Sequence, residues 1–129
     1  MFFLLLGAAA RKFNWGFRDY YPPAPIVQDS FLYTLRLLQR YGSDWKDSAF
    51  YEDAFLRAFP RAIDEFESSP YWSAKETAAR CFGLRALERF AAFCGLAELQ
   101  IKSGRPFVLA EGFRVRKRPL LDAVVRFRV

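Results

Sequence analysis

The sequence predicts a single domain that is mainly α-helical and carries a small β-hairpin in its C-terminal half. Its 129 residues are an ordinary length for one domain. Up to Gly95 the apolar residues recur at the spacing of helix faces, and beyond Gly95 they alternate with the period of two that strands show. Apolar residues make up 53% of the chain and include 15 Phe, which is enough large side-chain surface to build a core.

Residues 1–28 are predicted to form an N-terminal arm, and residues 29–129 the helical domain. Pro22, Pro23 and Pro25 disfavour a regular helix, so we expect an extended segment whose aromatic side chains pack on the domain or on a partner. The apolar residues 1–10 lack a basic segment before them and are too short to span a membrane, which takes about 20 residues. We expect them to pack against the domain; a cleaved signal or a membrane-surface anchor stays open.

Two helices and a short third one are predicted before residue 68. Asp29 or Ser30 can cap a helix over 30–41, which Gly42 ends. A second helix is expected over 48–59, and Pro60 can begin a third at its first turn. The apolar stripe expected on the first helix consists of Phe31, Leu35 and Leu38 with the adjacent Leu32 and Leu37, and the side chains expected to face inward from the second are Phe50, Ala54, Phe55 and Ala58.

The pattern Ser73-Ala-Lys-Glu76 is a capping box and predicts the start of another helix. Gly83 is expected either to divide it into helices over 73–82 and 84–94 or to kink one long helix over 73–94, which Gly95 ends. On a helical wheel, one half of the second helix is apolar: Ala86, Leu87, Phe90, Ala91, Phe93 and Cys94. The other half is expected to face solvent: Arg85, Glu88, Arg89 and Ala92.

After Gly95 the pattern predicts strands over 96–102 and 107–110 around a turn at 103–106. Residues 113–118 alternate again, with Phe113 and Val115 on one face and arginines on the other. Pro119 then begins either a short helix or a last strand.

The net charge of +6 lies entirely in the C-terminal part of the chain. Residues 1–70 hold 8 Lys/Arg against 9 Asp/Glu, whereas residues 71–129 hold 12 against 5. Such asymmetry favours an anionic partner for the second half, although a soluble basic surface explains it equally well.

The sequence lacks the residues that several kinds of catalytic and metal-binding site normally use. The chain has no His, no Gly-rich phosphate loop and only two cysteines, Cys81 and Cys94, whose spacing is not that of a zinc site. The carboxylates at 52–53 and 64–67 are typical of solvated helix faces. We therefore predict no catalytic residue, no metal, no cofactor and no enzymatic activity, with free thiols in a cytoplasmic protein.

The order helix, glycine, helix and basic hairpin over residues 73–118 resembles a winged helix-turn-helix, with the helix at 31–41 as a candidate first helix. Ala79 stands where that superfamily has a small residue before the turn glycine; Arg89 stands where it has an apolar one. The resemblance implies that the second helix enters the major groove of duplex DNA and that the wing contacts phosphates. The residues it implies as DNA-binding are Arg85, Arg89, Lys102, Arg105, Arg114, Arg116, Lys117 and Arg118.

Two other readings stay open. The aromatic-rich N-terminal half could instead bind a protein partner or a second copy of the chain, which makes the protein an interaction or oligomerisation domain. The third interpretation is an enzyme or a membrane-peripheral protein. The apolar N-terminus beside Arg11 and Lys12 is the only feature that supports it.

Overall fold

A computed structural model of the chain describes residues 21–101 and 112–126. In these residues the fold is mainly helical, with one small three-stranded antiparallel sheet. The helices are α1 (Pro25–Asp29), α2 (Phe31–Tyr41), α3 (Ser48–Ala58), α4 (Ala74–Phe82) and α5 (Pro119–Val124), with a 3-10 helix over Pro60–Glu65 and a π-helical segment over Gly83–Ala92. The strands are β1 (Lys46–Asp47), β2 (Ala97–Ile101) and β3 (Phe113–Lys117). The coarse fold class is confirmed; a winged-helix identity stays a prediction.

The first half of the described chain largely follows its local signals. Helices α2 and α3 and the short helix that begins at Pro60 lie where the sequence predicts them. The capping role predicted for Ser30 is wrong, because its hydroxyl donates to the Val27 carbonyl at 2.8 Å instead of accepting from helix α2. The predicted extended arm is also wrong in part, since Pro25 begins α1. Proline suits a first helical turn, where its missing N–H has no partner to lose.

Gly83 does not separate two helices. Its backbone is right-handed helical, with φ −57° and ψ −44°, so α4 runs directly into the π-helical segment. Of the two alternatives left open for Gly83, a turn is therefore wrong and one continuous helix over the predicted range is observed. The glycine instead permits close packing, because a Cβ there would lie 3.0 Å from Glu52 Oε1 and 3.7 Å from the Phe113 ring.

The capping box predicted at the start of α4 is confirmed at its first bond, where the Glu76 N–H donates to Ser73 Oγ at 3.1 Å.

The sheet has the strand order β1-β3-β2. Strand β2 pairs with β3, so that Leu99 lies opposite Val115. A strand begins after Gly95 as predicted and pairs with β3. The predicted turn at 103–106 and strand at 107–110 lie outside the described residues. Strand β1 lies before residue 70, where we predicted helices and no strand, so that prediction is wrong. The sequence does not indicate this strand, because two residues are too few to show an alternating pattern. Residues 119–124 form a helix, not a strand.

The core lies between the helices and the inner face of the sheet. Leu35, Leu38, Phe55, Leu87 and Ala91 are buried as predicted. Phe55 stacks on the Phe82 ring with centroids 4.4 Å apart, which joins α3 to α4. No helix among residues 21–101 and 112–126 is long and apolar enough to cross a membrane.

The burial predicted for the last long helix is wrong at four positions. Phe90 and Cys94 are only partly buried, Phe93 is 88% exposed, and Arg85 is buried with 1% of its surface exposed. Part of the reason is that Gly83–Ala92 is π-helical. A π-helix forms i to i+5 hydrogen bonds and has more residues per turn than the α-helical wheel, so its side chains point in other directions than the wheel predicts.

Candidate binding surfaces

Arg85 is a buried structural residue in this fold. Its Nη2 donates to the Pro22 carbonyl at 2.8 Å and to the Tyr21 carbonyl at 3.4 Å, and its Nη1 donates to the Pro23 carbonyl at 2.8 Å. Three consecutive carbonyls thus surround one guanidinium, which is the strong, charge-assisted kind of hydrogen bond. The base-reading role predicted for Arg85 is therefore wrong, because its side chain does not face solvent.

Glu65 lies in the same buried region. Burial raises the pKa of the Glu65 carboxyl, and the charge of Asp29 raises it further, whereas a hydrogen bond from the Ile26 backbone and the charge of Arg85 lower it. Its Oε2 atom has no hydrogen-bond partner within the described part of the chain. The hydrogen bond from the Ile26 backbone links the 3-10 helix to α1.

The outer face of the sheet brings together three of the predicted basic residues. Arg114 Nε lies 3.6 Å from Asp47 Oδ1, Arg116 pairs with Glu98, and Arg118 Nη2 lies 3.8 Å from Glu98 Oε2. The pairing follows from the register, because Asp47 lies opposite Arg114 and Glu98 lies opposite Arg116. The basic row is real, but carboxylates of β1 and β2 neutralise much of it.

Two other predicted DNA-binding residues, Lys117 and Arg89, do not join this row. Lys117 turns inward, where its Nζ donates to the Gln39 carbonyl at 2.9 Å and lies 2.7 Å from Asp122 Oδ2. Arg89 is partly exposed on the π-helical segment. Lys102 and Arg105 lie outside the described residues. Residues 21–101 and 112–126 hold 14 Lys/Arg against 12 Asp/Glu, so they carry only +2 of the total charge of +6.

A different surface, which the sequence did not indicate, is an open groove of about 480 Å³ between α2 and α3. It is lined by Tyr33, Leu37, Tyr41, Phe50, Ala54, Arg57 and Ala58. An aromatic pair stands at two places along it: Tyr33 with Phe59, at 5.3 Å between centroids, and Tyr41 with Phe50, at 5.4 Å. We call this the aromatic groove. Leu37, Phe50 and Ala58, predicted to face inward, belong to it, and the prediction for Leu32 is wrong, since it is 54% exposed.

Aromatic side chains line the sides of the groove, and the small side chains of Ala54 and Ala58 line its base. Tyr33 Oη donates to the Ala54 carbonyl at 3.3 Å, which holds the ring between the two helices. Ala54 and Ala58, one helical turn apart on α3, supply only methyl groups to the floor. The side chains of Tyr33, Leu37 and Tyr41 follow one face of α2 over about 12 Å, at 1.5 Å per residue. The groove is therefore two helical turns long, with aromatic walls and room between them.

A second depression, of about 460 Å³, adjoins the first across α3. It is lined by Asp53, Leu56, Arg57, Ile63 and Lys75. Arg57 lines both depressions and forms the ridge between them. Three of these five lining side chains are charged, so the second depression is more polar than the first.

Potential metal-ligating side chains and two cysteine thiols bear on metal-binding and nucleophilic chemistry in the parts of the chain that the structure describes. No three potential metal-ligating side chains lie together there. Cys81 is buried and Cys94 partly buried, both as free thiols, and burial raises the pKa of the Cys94 thiol, which disfavours the reactive thiolate.

No family model, no curated protein and no solved structure matches this chain. Its function therefore has to be inferred from its own residues.

Proposed function

We propose that this protein is a non-catalytic protein-binding domain that receives a helical segment of a partner in the aromatic groove. The observation that carries the proposal is the groove itself, with its two aromatic pairs, its alanine floor and the 39% exposed Tyr41. Amphipathic helices dock in apolar grooves of this kind through side chains at i, i+4 and i+7.

The groove geometry favours a helix as the occupant. The groove residues on α2 are four apart, and on α3 Phe50, Ala54 and Ala58 are four apart, so each helix presents a ridge along the groove. A third helix can set its own ridge between them, and the small Ala54 and Ala58 allow it to approach closely. Because the groove is only about two turns long, we expect a short segment and a transient complex rather than an interface of standard size.

Binding of duplex DNA through the outer face of the sheet is the second candidate function. The side chains of Arg114 and Arg118 are 54% and 53% exposed, which supports it. The carboxylates of Asp47 and Glu98 weigh against it, since a phosphate must compete with them for the same guanidinium groups. We rank it below protein binding for that reason.

A fluorescent amphipathic peptide tests the proposal directly. The probe is a designed helix of about 15 residues, the length at which isolated helices begin to persist in water, with Leu and Phe at i, i+4 and i+7. Anisotropy should report saturable binding, and NMR spectra should show shifted signals of Leu37 and Ala54. Binding without shifts at the groove contradicts the proposal.

Two alanine substitutions on α3 form a matched pair. Ala58→Trp fills the groove, and Ala49→Trp places the same ring on the same helix outside it; both alanines are exposed. We expect Ala58→Trp to weaken peptide binding at least about tenfold, which corresponds to about 1.4 kcal/mol. Ala49→Trp should leave it unchanged. Equal effects of the two substitutions would overturn the assignment.

A further inference from the structure

Three cations stand around the aromatic groove, and we call them the groove rim: Arg40, Lys46 and Arg57. The Arg40 guanidinium lies over the Tyr41 ring at 5.3 Å from its centroid, and Lys46 Nζ lies over the Phe50 ring at 5.0 Å. Arg57 lines the groove itself and is exposed. Two of these cations therefore lie over the Tyr41–Phe50 pair, and the third lines the groove on α3.

The rim differs from the other basic surface in how its charge is balanced. Within residues 21–101 and 112–126, neither Arg40, Lys46 nor Arg57 forms an ion pair with a carboxylate. Arg114, Arg116 and Arg118 on the sheet each do. Asp53, one turn before Arg57 on α3, lines the neighbouring depression and forms no such pair either. The three rim cations are thus available to pair with acidic side chains of a partner, while Asp53 lowers the positive charge on the Arg57 side.

We infer that the occupant of the groove is an acidic amphipathic helix: an apolar face that enters between the aromatic walls, flanked by Asp or Glu side chains that pair with the rim. This inference rests on the proposed function and names the chemistry of the partner. Carboxylates beside an apolar stripe satisfy both features at once, because opposite charges at the edge of an interface orient the partner and raise its association rate.

Two other occupants fit the observations less well. Residues 1–20 of the chain begin with an apolar run, but they carry Arg11, Lys12 and Arg18 against the single acid Asp19, so their charge does not complement the rim. A single-stranded nucleic acid needs aromatic faces open for base stacking. Here Arg40 and Lys46 already cover a face of Tyr41 and a face of Phe50.

The test uses the full-length protein and three helical peptides that share one apolar face of Leu and Phe but differ in their flanks, which carry Glu, Gln or Lys. At low salt the Glu peptide should bind about tenfold more tightly than the Gln peptide, because three exposed ion pairs each contribute a modest amount. The Lys peptide should bind most weakly. The preference should shrink in about 0.5 M salt, where charges are screened over a few Å.

Arg57→Gln should reduce the preference for the Glu peptide about threefold and leave binding of the Gln peptide unchanged. Arg61→Gln is the matched control, since Arg61 is exposed, lines neither depression and forms no ion pair in the described chain. Equal affinity for the Glu and Gln peptides, both mapped to the groove by NMR, overturns the inference but leaves the proposed function intact. Absence of binding by all three peptides overturns the proposed function.

Two further outcomes assign the groove to another occupant and overturn the inference. One is an oligo(dT) strand that competes with the Glu peptide and loses affinity on Arg57→Gln. The other is a concentration-dependent increase in mass, seen in ultracentrifugation and abolished by Ala58→Trp, which assigns the groove to a second copy of the chain.

Discussion

The Arg85 guanidinium donates a 2.8 Å hydrogen bond to the Pro23 carbonyl, although the two residues are 62 positions apart in the chain. This bond and those to Pro22 and Tyr21 fasten the proline-rich segment to the long helix. The segment therefore belongs to the folded domain from Tyr21 onward, and a residue predicted to face DNA instead holds two distant parts of the chain together.

Arg85→Met should lower the free energy of unfolding by about 3 kcal/mol, because it removes a buried guanidinium that donates to three partly buried carbonyls. Urea unfolding followed by circular dichroism measures the loss. Arg61→Met, at an exposed arginine without an ion pair in the described chain, should change stability by less than about 0.5 kcal/mol. A loss of similar size for both substitutions would show that Arg85 is not the buried anchor described above.

Gly83→Ala distinguishes a continuous helix from a turn. Since Gly83 has helical dihedral angles, alanine gains about 1 kcal/mol of helix propensity. The 3.0 Å approach to Glu52 Oε1 offsets part of this, and the end of that flexible side chain can move. We expect a net change within about 1 kcal/mol.

Gly95→Ala is the matched comparison for Gly83→Ala. Gly95 has a φ of +77°, and the Cβ of an alanine there would make only ordinary contact with Leu120 Cδ2 at 3.5 Å. Strain in the left-handed backbone should destabilise this variant by about 1–2 kcal/mol. If Gly83→Ala proves the more damaging of the two in thermal unfolding, Gly83 is not a helical residue.

Tyr51→Phe should stabilise the protein. Tyr51 has no exposed surface, and its hydroxyl has no hydrogen-bond partner among the residues that the structure describes. Removing an unsatisfied buried hydroxyl while keeping the ring should raise the free energy of unfolding by about 1 kcal/mol. Urea unfolding at neutral pH measures it. A loss of stability would mean that the hydroxyl has a partner, such as a buried water.

The same residue sets an alkaline pH dependence. Burial raises the pKa of Tyr51 to about 12, from an ordinary value of 10.0. Between these two values the unfolded chain loses the phenol proton while the folded protein keeps it, so stability should fall as the pH rises from about 10 to 12. Tyr51→Phe should lose less stability over this interval than the parent protein does. Parallel curves for the two proteins contradict the assignment.

The sequence predicts those features whose causes are local. The capping box at Ser73 and the stop at Gly42 lie within a few residues of the boundaries they set, so helix positions follow from them. The environment of Arg85 does not, because its partners come from a segment more than 60 residues away. The periodicity that identifies the core also does not say which helices lie side by side, so the aromatic groove appears only once α2 and α3 are packed.

The binding surfaces show the same division. Alternation along β3 correctly puts Arg114 and Arg116 on the face opposite Val115. It cannot show that Asp47 and Glu98 come to lie opposite them, because that depends on the register of two other strands. A count of charges along the chain therefore overstates the basic character of the sheet.

The last prediction concerns duplex DNA. If Arg114, Arg116 and Arg118 contact three phosphates, the plot of log affinity against log salt should have a slope of about −2.7, and affinity should fall about 40-fold between 50 and 200 mM salt. We expect a lower affinity than three full phosphate contacts would give, because Asp47 and Glu98 compete for these guanidinium groups. Binding should be weak and sequence-independent at 50 mM salt and absent at 200 mM. Titration of a labelled duplex with the parent protein, with Arg114→Gln/Arg118→Gln and with the control Arg61→Gln measures the difference. Tight binding that prefers one DNA sequence, and that the double substitution abolishes, would reverse our ranking of the two functions and make the sheet the functional surface.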